Sequence, residues 1–258
     1  MYPGRSAGEL VEAVIAADEA GLDDVWIADE GVARDPMVVL AAAARSTSRI
    51  VLAVGITSPL IRHPGAIAAT AATLDELSDG RTLLGLGVGG HESLAPFGIS
   101  TDRPVGVVRD AIRIGRAVLA GESCEGYEPA EHAVLARQVP IWVGARGPQL
   151  VRVAAREADG VFLSGCTPDQ HEEIVEQVRR VTSDERRPMI DTAMYQSASD
   201  RPTGANVVGW DRIVATLTAD VARFAPTSIG INLVDLARSD GATATDMVQR
   251  AAEALRTL

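Results

Sequence analysis

The sequence predicts an α/β fold of the (β/α)8 TIM barrel class. Apolar, β-rich runs alternate with helical patterns along the whole chain, and those runs are short and almost continuously apolar. Strands that are buried on both faces, as in a parallel sheet, have this character. A length of 258 residues is typical of one barrel. We therefore expect a single barrel domain over residues 1–258, with an open doubly wound sheet as the alternative.

The order of elements follows from these runs and from the turn residues between them. Proline stands near the first turn of many predicted helices, where its missing N–H costs nothing, and glycine ends three of them. Seven strands are predicted, at Val25–Asp29, Ile50–Thr57, Thr82–Gly89, Pro140–Ala145, Gly160–Gly165, Met189–Ser197 and Ser228–Val234. Eight helices are predicted, at about Ser6–Ala20, Pro36–Thr47, Pro64–Ser78, Pro104–Ala120, Pro148–Glu157, Pro168–Val181, Val208–Phe224 and Thr243–Arg256.

This count is one strand short of a full barrel. The first predicted element is a helix, and only Met1 to Arg5 precede it. Either the first strand is absent from this chain or one of the predicted boundaries is wrong. An absent strand would leave an unpaired sheet edge, which is prone to aggregation or open to a partner chain.

Composition excludes several classes of protein. With 24 basic and 35 acidic residues the net charge is −11, which disfavours nucleic-acid and anionic-membrane partners. No apolar run approaches the roughly 20 residues of a membrane span, and MYPGRSAGEL has no apolar signal core. Two cysteines indicate a cytoplasmic chain with reduced thiols. Aromatic residues make up only 3%, so the few large rings are expected to line a pocket. No metal site is expected, because metal-ligand spacing is lacking at His63, His91, His132 and His171.

Two glycine-rich loops follow predicted strands. Gly85–Gly90 formally matches G-x-G-x-x-G, but a dinucleotide site would need a helix starting in the loop and an acidic residue at the next strand end. We favour a strand end that lets a flat ring approach the backbone, with His91 and Glu92 at the mouth. A solvated loop is the alternative for those two residues. The second loop, Gly144–Pro148, suits a phosphate because Arg146 precedes a helix start, although an ordinary turn with a surface arginine has the same pattern.

Further candidates lie at two more strand ends. Gly55 followed by the β-branched Ile56 is a pattern consistent with a bulge or a strained peptide. Adjacent carboxylates at Asp29 and Glu30 are candidates for cofactor contact and proton transfer, and a solvated pair is the alternative. Arg62 and His63 are placed to face the site, but His63 could equally cap the following helix.

Six segments together resemble the luciferase-like superfamily of flavin and deazaflavin enzymes, and within it the coenzyme F420-dependent oxidoreductases that include methylenetetrahydromethanopterin reductase-like proteins. They occur in the family's order over roughly Ser6 to Gly165. The segments are Gly21–Asp29, Arg62–Pro64, Ala71–Arg81, Gly85–Gly87, Val143–Pro148 and Ala158–Val161.

The resemblance implies a barrel with its cofactor at the C-terminal face of the sheet. It implies a non-prolyl cis peptide at Gly55–Ile56, behind the deazaflavin ring. It also implies contacts from Asp29 and from the Gly87–Gly89 region to the ring system or its side chain, and a phosphate held by Ala145, Arg146 and Gly147. Relatives commonly form dimers or larger assemblies, so a homo-oligomer is expected.

Three departures affect the expected chemistry. Many relatives carry Asp-His where this chain has Asp29-Glu30, some have an acidic residue at the position of Gly90, and the first strand is not found. We expect an oxidoreductase that moves a hydride between coenzyme F420 and a small organic substrate, with Glu30 as first candidate for the proton relay and His91 or Glu92 second. The alternatives are an FMN-dependent monooxygenase and a non-catalytic, degenerate barrel.

Overall fold

A parallel sheet curls around a cavity, and helices cover its outside in the computed structural model. The model describes residues 5–133, 136–163, 166–185, 188–199, 207–233 and 243–258. The strands are β1 Asp24–Ile27, β2 Val51–Thr57, β3 Thr82–Leu86, β4 Ile141–Gly144, β5 Gly160–Leu163, β6 Asp191–Ser199, β7 Val207–Gly209 and β8 Ser228–Leu233. The helices are α1 Ala7–Glu19, α2 Pro36–Ala44, α3 Pro64–Leu77, α4 His91–Leu94, α5 Pro104–Ala120, α6 Pro148–Glu157, α7 Pro168–Asp184, α8 Ile213–Phe224 and α9 Ala244–Leu255, with a 3₁₀ turn at Ala95–Phe97.

Every strand pair in the described sheet is parallel. Strands β1 to β6 are neighbours in chain order, and β8 pairs with β6 over its full length. The short β7 lies on the other side of β6, beside its last three residues. This sheet, with helices between successive strands, confirms the predicted barrel class, and no strand is described ahead of α1.

Side chains at the helix starts explain why the chain turns where it does. Proline occupies the first turn of α2, α3, α5, α6 and α7, as the sequence predicts. Asp35 caps α2 by accepting hydrogen bonds from the backbone N–H groups of Met37 and Val38. His63 caps α3, because its Nδ1 accepts the N–H of Gly65 at 3.1 Å. Of the two roles considered for His63, the model therefore shows the structural one.

Some predicted boundaries are wrong, and the reasons are local. Residues 207–209 form β7 because Val207 and Val208 pair with the end of β6, so α8 begins at Ile213 and not at Val208. Strand β3 ends at Leu86, and the following glycines leave the sheet. The stretch after Gly90 was predicted as a loop or short turn, and it forms one helical turn followed by the 3₁₀ turn. Predicted strand ends at Ser164, Gly165 and Val234 fall outside the described residues.

The main core lies between the sheet and the helices and is aliphatic, as the low aromatic content requires. Within the described ranges, no helix has both the length and the apolar character needed to cross a membrane. The same ranges contain no group of three or more His, Cys, Asp or Glu side chains arranged to hold a metal ion.

Asp18, at the end of α1, anchors the start of β2. Its side chain is only 8% exposed. Oδ2 accepts the N–H of Ser48 at 3.1 Å, and Oδ1 accepts those of Arg49 at 3.0 Å and Ile50 at 2.8 Å. Burial opposes ionisation, but these three backbone donors outweigh it and lower the pKa of Asp18. The carboxylate thus fixes the helix against the strand on the face opposite the glycine loops.

We predict that Asp18→Asn lowers the free energy of unfolding at pH 7 by about 1–3 kcal/mol, because an amide presents one acceptor oxygen where three donors converge. A lowered folded-state pKa contributes stability above the unfolded value, near pH 4, and that contribution is lost as pH falls through the folded value. The difference in free energy of unfolding between wild type and Asp18→Asn should therefore be smaller at low pH. Urea unfolding across pH measures it. Asp23→Asn, at an exposed neighbour, is the control; equal stability of all three proteins at pH 7 would refute the assignment.

Candidate active site

A cavity of about 1220 Å³ extends from the carboxyl ends of the strands along the sheet between β1 and β8, where α1 and α9 also line it. Small side chains and backbone form much of the end near the glycine loops: Ala28 and Glu30 follow β1, Gly55 and Ile56 belong to β2, residues 88–90 follow β3, Gly144 ends β4 and residues 145–147 follow it. Ligand sites of parallel α/β proteins lie at this edge of the sheet. The structure therefore brings together two glycine-rich loops that are more than 50 residues apart in sequence.

The peptide between Gly55 and Ile56 is cis, as predicted. It interrupts the regular pairing of β2 with β3, where the register shifts between Val54 and Thr57. Both residues line the cavity. After the irregularity, the Ile56 carbonyl accepts the N–H of Asp29, and the Thr57 carbonyl accepts the N–H of Gly87. The bulge predicted at this strand end is thus confirmed, and it connects the ends of β1, β2 and β3.

Three glycines leave room for the Ile56 side chain. A methyl group built on Gly87 would overlap Cδ1 of Ile56, and one on Gly85 would overlap the Val54 carbonyl. A methyl group on Gly144 would lie 3.1 Å from two Ile56 carbons. Gly87 and Gly144 therefore make room for Ile56 and Gly85 makes room for the Val54 carbonyl, so the G-x-G pattern at the end of β3 has a steric cause.

Asp29 is held by protein donors. Its Oδ2 accepts the hydroxyl of Thr57 at 2.6 Å, and its Oδ1 accepts the N–H of Gly31 at 3.1 Å. Thr57 is fully buried. The carboxylate fixes the loop after β1 onto the end of β2, and Asp29 is not among the residues lining the cavity. Its contact with a cofactor stays a prediction.

The three candidates for a proton relay lie in different environments. Glu30 lines the cavity, and its Oε2 is buried. His91 and Glu92 are exposed on α4, outside the cavity lining. The geometry favours Glu30 over the other two, whose catalytic roles remain untested predictions.

Arg62 forms an ion pair with Asp35, with Nη2 and Oδ2 at 2.5 Å. This hydrogen bond raises the pKa of Arg62, against a smaller effect of burial. Asp35 responds in the opposite direction: burial disfavours its charged form, but Arg62 and the backbone donors of α2 lower its pKa. The pair connects the start of α2 to the segment before α3, so Arg62 has a structural partner beside the site.

The loop after β4 ends at a helix start without a side-chain cap. Gly147 is the N-cap of α6, and Arg146 and Gly147 are exposed while Ala145 is buried. The first N–H groups of a helix and a nearby guanidinium form an anion site. Sequence reasoning did not single out Cys166 here; burial raises the pKa of its thiol, and the charge of Arg146 opposes that rise.

Four of the chain's nine Trp, Tyr and Phe residues meet inside the sheet. Trp26 stacks on Phe162 with ring centroids 4.5 Å apart, and Trp142 and Tyr195 flank this pair at 5.5 Å. Trp26, Phe162 and Tyr195 line the cavity, which confirms that rings line a pocket. A glycine in the sequence makes room for one of these rings, since a methyl group on Gly55 would lie 2.6 Å from the Trp26 ring.

Asp24, at the start of β1, lines the cavity, and sequence reasoning did not single it out. Its Oδ1 accepts the indole N–H of Trp26 at 2.7 Å, and its Oδ2 accepts the Ser228 hydroxyl at 3.4 Å. Burial raises the pKa of Asp24, and the two hydrogen bonds oppose that rise only in part. Nothing in the apolar run around it marked this carboxyl as buried.

Comparison with known proteins gives consistent sequence matches. A family model described as luciferase-like monooxygenase matches residues 1–199. The 5,10-methylenetetrahydromethanopterin reductase of Methanolobus tindarius is 34% identical over 168 residues, which are 63% of this chain and 52% of that protein. An F420-dependent glucose-6-phosphate dehydrogenase of Beutenbergia cavernae is 33% identical over 185 residues, 64% of this chain and 54% of that one. The chain thus spans about half the length of these curated relatives.

Solved structures share the fold over almost the whole chain. The coenzyme F420-dependent tetrahydromethanopterin reductase from Methanopyrus kandleri matches with a TM-score of 0.78 and 19% identity, covering 97% of this chain and 96% of that one. A type II Baeyer–Villiger monooxygenase constituent from Pseudomonas putida, in complex with FMN, matches with a TM-score of 0.75 and 17% identity, covering 98% and 94%.

The packing around Ile56 generates a prediction about stability. Gly87→Ala should lower the free energy of unfolding by about 1–3 kcal/mol, because the added methyl group overlaps Ile56 Cδ1. Ile56→Val removes Cδ1, after which the nearest Ile56 atom to that methyl group is 3.3 Å away. The double variant should therefore be more stable than the sum of the single effects indicates, as measured by urea unfolding.

Gly90→Ala is the matched control for this cycle. A methyl group there meets no atom within 4 Å, so its effect should stay within about 0.5 kcal/mol. Strict additivity of Gly87→Ala and Ile56→Val would contradict the proposed steric coupling.

Proposed function

This chain belongs to the luciferase-like monooxygenase family, and on that premise we propose that it is an oxidoreductase that uses coenzyme F420 to exchange a hydride with a small organic molecule. Both curated relatives described above are reductases or dehydrogenases, and the second carries F420 in its name. The observation that carries the proposal is the cavity wall formed by the cis Gly55–Ile56 peptide and the glycine loop after β3.

The residues present fit a flat ring bearing a phosphate-containing side chain. The wall around Gly55 and residues 88–90 offers backbone and small side chains, so a planar group can lie close to it. Open space exists where side chains would be at Gly90 and Gly147.

Each part of the chain then has a separate task. Coenzyme F420, when bound, supplies the two-electron hydride chemistry. Gly55 and Ile56 provide the surface against which the ring lies, and Gly87 and Gly89 let the chain pass close to it. The N–H groups at the start of α6, with Arg146, hold the phosphate. Glu30 holds or releases a proton at its carboxylate oxygens, facing the same cavity.

An FMN-dependent monooxygenase is the second candidate, because the fold also matches the FMN complex of the Pseudomonas putida monooxygenase. Titration of the purified chain with F420 and with FMN, followed by fluorescence or calorimetry, separates the two. We expect at least about tenfold tighter binding of F420, a difference of about 1.4 kcal/mol. Tight FMN binding alone would favour the monooxygenase. Binding of neither cofactor by a chain that unfolds cooperatively would favour a non-catalytic barrel.

Arg146→Ala should weaken F420 binding about tenfold, because a charge-assisted contact to phosphate is lost. Arg152→Ala removes an exposed arginine from α6, the helix that follows Arg146, and should leave the Kd unchanged. The deazaflavin ring system without its phosphate should bind wild type and Arg146→Ala equally. Weaker binding of that phosphate-free ring to Arg146→Ala would show that Arg146 acts on the fold or the ring instead.

Glu30→Gln should retain F420 binding within about threefold and lose turnover by about 10²–10⁴-fold, the usual contribution of a positioned proton donor or acceptor. Turnover is followed by the change in F420 absorbance with glucose 6-phosphate or a methylenetetrahydropterin, the substrates named by the relatives. Glu92→Gln, at an exposed carboxylate outside the cavity, is the matched control. Full turnover by Glu30→Gln would remove Glu30 from the mechanism.

A further inference from the structure

The segment that carries Glu30 is a tight turn after β1, and the neighbouring carboxylate closes it. Asp29 Oδ1 accepts the N–H of Gly31 at 3.1 Å, so Glu30 is the central residue of the turn. Gly31 has a φ of 71°, in the left-handed region that glycine adopts without strain. The backbone of Glu30 is therefore fixed on both sides, while its side chain lines the cavity.

The other oxygen of the Asp29 carboxylate is bound from β2. Asp29 Oδ2 accepts the hydroxyl of the fully buried Thr57 at 2.6 Å, which is the short distance of a charge-assisted hydrogen bond. The Asp29 N–H donates to the Ile56 carbonyl at 3.2 Å. Thr57 comes directly after the cis Gly55–Ile56 peptide. The Asp29 carboxylate thus connects the turn to the strand that forms the cavity wall.

The turn is also covered on its outer side. A methyl group built on Gly31 would lie 2.7 Å from the Ser93 carbonyl oxygen and 3.0 Å from a Phe97 ring carbon. Ser93 belongs to α4, and Phe97 ends the 3₁₀ turn that follows it. These two elements therefore lie directly on Gly31, and the turn cannot move away from the sheet without displacing them.

We propose that Thr57 acts through Asp29 as a positioning residue for the carboxyl group of Glu30. This inference rests on the proposed function, in which Glu30 transfers a proton while a flat ring lies against the cis-peptide wall. Proton transfer requires hydrogen-bond distance between donor and acceptor, and a displacement of about 1 Å can cost about 10²-fold in rate. Because β2 carries both the wall and Thr57, one strand sets the distance between the ring and the proton-transfer group.

The role belongs to the hydroxyl group of Thr57, and two substitutions separate it from packing. Thr57→Val keeps the branched shape of the side chain but removes the donor, so Asp29 Oδ2 loses its buried partner. The carboxylate is then free to rotate, and the N–H of Gly31 loses its fixed acceptor. Thr57→Ser keeps the donor and removes only a methyl group.

The first test measures turnover of the full chain with F420 and the two substrates named above. Thr57→Val should lower kcat by about 10–10²-fold. It should leave the Kd for F420 within about threefold of wild type, and Thr57→Ser should retain kcat within about threefold. In a Glu30→Gln background, Thr57→Val should cause no further loss, because the group that Thr57 positions is already inactive.

Thr182→Val is the matched control for these variants. Thr182 is also buried, and its hydroxyl donates to the Val178 carbonyl of its own helix at 3.0 Å. It lies outside the cavity lining. Its substitution should therefore change neither kcat nor the Kd for F420.

Hydrogen exchange of the cofactor-free chain tests the same contact without turnover. Thr57→Val should speed exchange of the Gly31 N–H at least about tenfold, because its acceptor on Asp29 is no longer fixed. The Gly87 N–H donates to the backbone carbonyl of Thr57 at 3.1 Å and is the control amide, which should change much less. Thr57→Ser should match wild type at both amides.

Four results would overturn the proposal. They are a wild-type kcat in Thr57→Val, an equal loss of kcat in Thr57→Val and Thr57→Ser, weaker F420 binding with unchanged kcat, and a further loss in the Glu30→Gln background. A wild-type chain that neither binds F420 nor turns over would refute the proposed function. In that case, faster exchange at Gly31 in Thr57→Val would still support the positioning of Glu30, and unchanged exchange would overturn it.

Discussion

The packing of one side chain, Ile56, constrains the whole candidate site. Ile56 follows the cis peptide and occupies the space where the ends of β2, β3 and β4 converge. The strands reach this spacing because Gly85, Gly87 and Gly144 have no side chains to clash with it. A wall of backbone results, facing the cavity. Gly87 after β3 and Gly144 at the end of β4 look independent in sequence but share one steric cause, the room that Ile56 needs.

Stabilising contacts and candidate site residues lie at opposite ends of the strands. At the amino ends of the strands, Asp18 and the Arg81 guanidinium bind backbone groups. Arg81 donates hydrogen bonds to the carbonyls of Ile50, Ala44 and Thr47 and so fixes α2 and β3 to the start of β2. At the carboxyl ends of the strands, small residues and exposed charged residues surround the cavity. Because the contacts at the amino ends hold the strands in place, the carboxyl ends can be less densely packed.

Polar residues near the cavity have two kinds of role, and their contacts distinguish them. Asp29, Asp35 and His63 satisfy backbone or hydroxyl donors and hold loops in place. Glu30 and Arg146 line the cavity, and Arg146 is exposed. Asp29 and Glu30 are adjacent in sequence but lie in different environments, because Asp29 binds Thr57 and Gly31 while Glu30 lines the cavity.

The sequence by itself determined the alternation of strands and helices, the proline-led helix starts and the bulge at Gly55–Ile56. These are local properties, set by periodicity and by residues with special backbone freedom. Only the tertiary structure decided which polar groups are satisfied, that Val207–Gly209 pairs with β6 and that Asp24 is half-buried between Trp26 and Ser228. Those outcomes depend on contacts between segments distant in the chain, up to 204 residues apart for Asp24 and Ser228, which no local pattern encodes.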